Sequence, residues 1–139
     1  MPEKKTLERA REDARDGKAP STQAGEFVRE EMDHIREGKH GARSPQQAIA
    51  IGLSKARRAG VKLPPPKKGR VSEATATRAE RDYADGQSGS HRKPSAKRSR
   101  ATVAALKKEG RAAASHAALS RQAKRAAKAR KSPRPVRQR

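Results

Sequence analysis

The residues best suited to chemistry in this chain are cations placed just ahead of a helix start. Lys39, His40 and Arg43 lie in the run Gly38-Lys39-His40-Gly41-Ala42-Arg43, which leads directly into Ser44-Pro45. The first turn of a helix presents unbonded N–H groups and a partial positive charge, so with cations around it that terminus can hold one phosphate of a nucleic-acid backbone. The same glycines equally serve simple chain reversal with the cations solvated, and the sequence leaves both readings open. Gln46 and Gln47 suggest a second chemistry, because a helix entering a major groove can read adenine edges with an amide side chain. The connection is longer than a helix-turn-helix turn, however, and Gln47 has a capping role of its own. His34 and His40 have no third His or Cys nearby in the chain, which is too few for a metal site, and no metal ligand or cofactor is expected. There is no Gly-rich phosphate motif, nucleophile elbow or pair of pocketed carboxylates, so a non-catalytic protein without a small-molecule substrate is expected.

A second set of candidate residues acts by number rather than by geometry. Lys55, Arg57 and Arg58 crowd the polar face of the helix that starts at Pro45, and Lys67, Lys68 and Arg70 follow three consecutive prolines. Beyond them come Lys97, Arg98 and Arg100, then Lys107, Lys108 and Arg111. The last group is Arg121, Lys124, Arg125, Lys128 and Arg130, continued by Lys131, Arg134 and Arg137. Residues 97–139 hold 15 Lys or Arg against one acid, Glu109. If about 8 to 10 of these cations meet phosphates on duplex DNA, log affinity falls against log salt with a slope of about −7 to −9. A solubilising segment without a dedicated partner is the alternative that the same charges allow.

Composition limits what else the chain can be. Of its 139 residues only 14 are Leu, Ile, Val or Phe, while the net charge is +21. That is below the roughly 20% at which highly charged chains tend to lack a folded core, so a large core is excluded and polyanions are the favoured partners. One Phe, one Tyr and no Trp cannot provide a stacking platform for bases, which leaves phosphate contact as the mode of binding. Cysteine is absent, and no apolar run approaches the length of a membrane span or the core of a signal peptide. A cytoplasmic, nucleoid-type location is therefore expected.

The elements that must position these residues follow from caps and periodicity. Ser44 as N-cap, Pro45 at the first helical position and Gln47 as the returning side chain open a helix, with Ile49, Leu53 and Ala56 on its apolar face. Ala48, Gly52 and Ala59 flank that face, Gly60 closes the helix in a left-handed conformation, and Val61 folds back beyond it. A preceding helix is expected from Ser21 or Thr22 to about Glu37, with Phe27, Val28, Met32 and Ile35 turned toward the first. Its Glu26, Glu30, Glu31, Asp33 and Glu37 are expected to face solvent or to answer Arg57 and Arg58. Thr6 is placed to cap a short, marginal helix ending at Gly17. The expected fold is mostly α with extensive disorder. It divides into a charged segment over 1–20, a helical hairpin over 21–63, a Pro/Gly/Ser-rich linker with a transient helix over 64–98, and an Ala/Lys/Arg-rich, largely disordered basic tail over 99–139. Oligomeric state is not legible in it.

Two resemblances sharpen this expectation. Ser44-Pro45-Gln46-Gln47-Ala48-Ile49-Ala50-Ile51, behind the basic Gly loop and ahead of Leu53-Ser54-Lys55-Ala56-Arg57-Arg58-Ala59-Gly60, resembles the core of a family of small basic bacterial and phage proteins of unknown function. Members are sometimes labelled plasmid-stabilisation or DNA-binding proteins, which implies DNA as the partner and implies no catalytic residues. Pro45 stands where a basic residue is common in that family. The runs Lys93-Pro94-Ser95 and Lys131-Ser132-Pro133-Arg134 resemble the Lys-Pro and Ser-Pro turns of linker-histone tails, which implies contact with the minor groove. A sequence-tolerant, linker-histone-like DNA-binding protein is the expected function. An RNA- or ribosome-associated factor, or a hydrophilic stress or packaging protein, is the alternative.

Overall fold

A computed structural model describes residues 2–67, 69–89 and 95–131. Among them, the helix at Pro45 forms as its start and stop signals dictate. It spans Pro45–Arg58, and since Lys4–Arg15 and Pro20–Arg36 precede it, the three are α1, α2 and α3 in chain order. Ser44 Oγ accepts from the Gln47 N–H at 3.2 Å. Gln47 Oε1 in turn accepts from the Arg43 N–H at 2.6 Å, one residue earlier than a regular capping box would place it. At the far end Gly60 takes φ +99°. The Val61 N–H donates to Ala56 O and the Gly60 N–H to Arg57 O, both at 3.1 Å, which is the bond pair of a Schellman motif.

α2 and α3 pair antiparallel: Phe27 shares a buried cluster with Ala56, Val28 lies against Gly52, and Met32 and Ile35 share a second cluster with Ala48. The expected apolar face of α3 is rotated. Pro45, Ala48, Gly52 and Ala56 are buried, whereas Ile49 and Leu53 are half-buried and pack at the edges. The reason is steric. A Cβ on Gly52 would stand 2.7 Å from Val28 Cα, so the two backbones approach along the small residues and the larger ones flank the seam. Val61 and Leu63 cover one end, as their position beyond Gly60 implies.

α1 packs on α2 through Ala10 and Leu7, but it does not start at Thr6. Thr6 lies inside the first turn, and the acceptor comes from across the interface. Glu30 Oε1 accepts from the Glu3 N–H at 2.5 Å and from the Thr6 hydroxyl at 3.1 Å. Glu30 and Glu31, expected to face solvent or to answer Arg57 and Arg58, do neither: they are 4% and 1% exposed, and Glu31 meets Lys55 and His40 instead.

The segment expected as a linker contains α4, Glu73–Ser88, which packs against α3 through buried Ala76 and Ala79. Ser54 Oγ donates to Asp82 Oδ2 at 2.5 Å and Gln87 Nε2 donates to Gly60 O at 3.1 Å. Gly86 meets the Arg57 carbonyl so closely that no Cβ fits. Small residues make this contact, which is why no apolar stripe announces it.

The basic segment forms α5, Ala96–Lys107, and α6, His116–Lys131, separated by the 3₁₀ turn Ala112–Ala114. α5 buries nothing and packs against no other helix. Ala113 and Ala114, by contrast, join Met32, Ile35, Ala42 and Ala48 in one core cluster, with Leu119 packed against it. Arg36 Nε donates to Ala114 O at 3.2 Å. Part of the cationic segment thus completes the core of the hairpin, and no strand occurs among the described residues. No described helix is long and apolar enough to cross a membrane.

Candidate nucleic-acid interface

The loop between α2 and α3 begins with a second Schellman turn. Gly38 takes φ +78°, and the Lys39 N–H donates to His34 O at 2.9 Å while the Gly38 N–H donates to Ile35 O at 3.1 Å. The loop is then pinned from outside: the Gly41 N–H donates to Leu106 O at 2.8 Å and the Ala42 N–H to Gly110 O at 3.1 Å. Gly41 has to be glycine, since any Cβ there would overlap the Glu109 carbonyl.

This arrangement disperses the three expected phosphate ligands. Lys39 bridges Glu37 at 3.3 Å and Glu3 at 3.5 Å, and the Glu37 carboxylate foremost holds its ammonium above the ordinary lysine range. His40 turns inward toward Glu31. Lys39 and Arg43 are both exposed, and of the three side chains only that of Arg43 has no partner among the described residues. Two N-terminal N–H groups of the α3 region are already engaged by the Ser44 and Gln47 side chains. What the loop gains is a neighbour the sequence hid. Lys39, Lys107 and Arg111 line one cleft with His40 and Glu109, because the residues after α5 fold over the loop.

The cations of α3 are also partly consumed. Lys55 Nζ donates to Glu31 Oε1 in a bridge whose carboxylate is 1% exposed. Arg57 is buried, donating from Nε to Leu63 O at 3.3 Å and from Nη2 to Pro64 O at 3.2 Å. Burial pushes the Arg57 guanidinium below its ordinary pKa, with the Asp82 charge opposing. Arg58 remains half-exposed, 3.9 Å from Asp82. These residues hold the fold together: Lys55 neutralises a buried acid, and Arg57 ties the proline segment to α3.

The longest runs of exposed cations lie later in the chain. On α6, Arg121, Lys124, Arg125 and Lys128 are exposed and recur at i, i+3, i+4, i+7, which lines them along one face. Ala118 and Leu119 sit on the side turned to the core. Arg130 is exposed beyond them, and on the preceding elements Lys67, Arg70, Lys97, Arg98, Arg100, Lys107, Lys108 and Arg111 are exposed as well. Lys68, Arg134, Arg137 and the Lys131 side chain lie outside the described residues, as do the Lys93-Pro94 and Ser132-Pro133 turns.

Sequence reasoning treats His34 and His40 as isolated. The structure brings their rings to a centroid separation of 6.0 Å at 83°, with Glu31 beside both. The signal is present only in part: Glu31 and His34 share a face at i, i+3, but the turn that returns His40 to that face is not a spacing rule.

Residues 15–68 are similar to a family of unknown function (DUF6496). That span covers α2, the loop and α3, and ends before α4 and the basic helices. No curated protein and no solved structure matches the chain.

Proposed function

We propose that this chain is a non-catalytic, sequence-tolerant DNA-binding protein of the nucleoid or of a plasmid, laid out like a linker histone. The exposed stripe Arg121, Lys124, Arg125 and Lys128 carries the reading. The four recur along one face of α6, so formation of that helix presents them together. The cleft with Lys39, Lys107 and Arg111 adds a second patch, and Arg43 a third point of contact.

The packed half offers little that could read bases. Phe27 is fully buried and Tyr83 half-buried, so neither provides a stacking surface. Gln47 is held by the α3 cap. Phosphate contact is what remains, and it carries no base preference. DNA is favoured over RNA because the Lys-Pro and Ser-Pro runs resemble linker-histone turns. Outside the docked patch around Ala113, Ala114 and Leu119, the basic segment is largely disordered in the free chain, since its like charges repel and α5 has no packing partner. Phosphates cancel that repulsion and favour the helices.

Fluorescence anisotropy of the full chain on labelled duplex DNA, double-stranded RNA and single strands, across a salt series, tests the proposal. The expected result is tightest binding to duplex DNA with a slope of about −7 to −9. Preference for RNA would move the assignment to an RNA- or ribosome-associated factor, and absence of binding at physiological salt would refute both.

A further inference from the structure

We propose that Glu31, His34 and His40 form a binding site for one divalent transition-metal ion of the zinc type. The three residues place their ligand atoms within 4.8 Å of one another. Glu31 and His34 come from one face of α2, and the turn at Gly38 brings His40 back beside them. Their side chains are 1%, 14% and 13% exposed, a pocketed position quite unlike a surface cluster of acids.

The hydrogen bonds around His40 are what call for a cation. His40 Nδ1 is 2.9 Å from Gly41 O, and since a carbonyl can only accept, Nδ1 carries the proton. A neutral ring then presents a lone pair at Nε2. Nε2 faces Glu31 Oε2 at 3.2 Å, and Oε2 is a buried atom that accepts no hydrogen bond. Two acceptors thus lie 3.2 Å apart in a buried position, a separation that a metal ion bound to both would account for. Two ligands on a tetrahedral zinc, with bonds of about 2.0 to 2.1 Å, stand about 3.4 Å apart, close to the separation found.

The surroundings suit a metal. Lys55 occupies Glu31 Oε1 and leaves Oε2 for the ion. Gly41 O is the carbonyl partner that a ligating imidazole commonly takes on its second nitrogen, and Glu3 Oε1, 3.1 Å from His34 Nε2, offers His34 a carboxylate of the same kind. Two imidazoles and one carboxylate, without thiolate, select zinc and its neighbours over magnesium or calcium, and they leave a fourth position for water. The ion would pin α2 to the loop that leads into α3, a role separate from phosphate contact.

The test is equilibrium dialysis of the full chain against zinc chloride at neutral pH, with no nucleic acid present. One zinc ion per chain is expected. His34→Ala and His40→Ala should each weaken binding by more than about 10-fold, the lower bound set by losses of mere supporting partners. Glu31→Gln should do the same, whereas His116→Ala, at an exposed histidine on α6, should not. Cobalt substitution supplies a second readout, an intense visible absorption that the His34→Ala and His40→Ala variants lose. Zinc uptake by the native chain no greater than that of a His34→Ala/His40→Ala double variant would overturn the proposal.

Discussion

Glu31 shows how one residue can shape its whole neighbourhood. Its carboxylate is 1% exposed and is met by Lys55 on α3 and His40 from the loop, so it joins three separate stretches of chain. Breaking a buried pair from one side leaves an uncompensated charge, which is far more damaging than replacing both partners. Lys55→Met should therefore lower unfolding free energy by about 3 kcal/mol in denaturant titrations, while the double change Lys55→Met/Glu31→Leu should recover much of that loss. Gly52 gives a steric counterpart. Alanine is the better helix former by about 1 kcal/mol, yet a Cβ at 52 stands 2.7 Å from the Val28 backbone, which cannot rotate away. Gly52→Ala should consequently be destabilising by about 1 to 2 kcal/mol, read as a lower thermal midpoint. A higher midpoint would mean that the α2–α3 seam is looser than described.

At the scale of elements, legibility in the sequence follows side-chain size. α3 and the Gly38 and Gly60 stops are readable because caps and left-handed glycines are local chemistry. The pairing of α2 with α3 is readable because Phe27, Met32 and Ile35 are large enough to mark a face. What the sequence hides is packing through alanine and glycine: Ala76 and Ala79 on α4, Gly86 against Arg57, Ala113 and Ala114 under α2. In a chain this rich in alanine, a buried alanine and a solvated one look alike. The site is obscured for a related reason. Lys55 and Arg57 read as solvated cations because nothing local shows that Glu31 or the Leu63 carbonyl will face them. The docked alanines make a sharp prediction by truncation. A chain ending at residue 120 keeps Ala113, Ala114 and Leu119 in place and should melt like the full chain. One ending at residue 111 uncovers the cluster around Ile35 and Ala48, losing about 2 kcal/mol of apolar burial. Its midpoint should fall by on the order of 10 °C. Equal midpoints for the two would show that the 3₁₀ turn contributes no core.

For the whole molecule, charge and packing are separable, and that separation can be measured. Residues 1–63 carry 14 Lys or Arg against 10 acids, whereas 64–139 carry 22 against 5, so most of the excess positive charge lies beyond α3. The ion pairs that hold the packed half use cations from that half itself, as with Lys55 and Glu31 or Lys18 and Asp13. Arg121, Lys124 and Arg125 of α6 can then be altered without touching the core. Reversing the three together to Glu should leave the thermal midpoint nearly unchanged. If each meets one phosphate, DNA affinity should drop and the salt slope should flatten by about 2.7, at about 0.9 for every phosphate left without its cation. A·T-rich and G·C-rich duplexes should weaken alike, because phosphate contacts carry no sequence information. An unchanged slope would move binding away from α6 to the cleft at Lys39, Lys107 and Arg111, and a weakening confined to one base composition would reveal base reading that phosphate contact cannot produce.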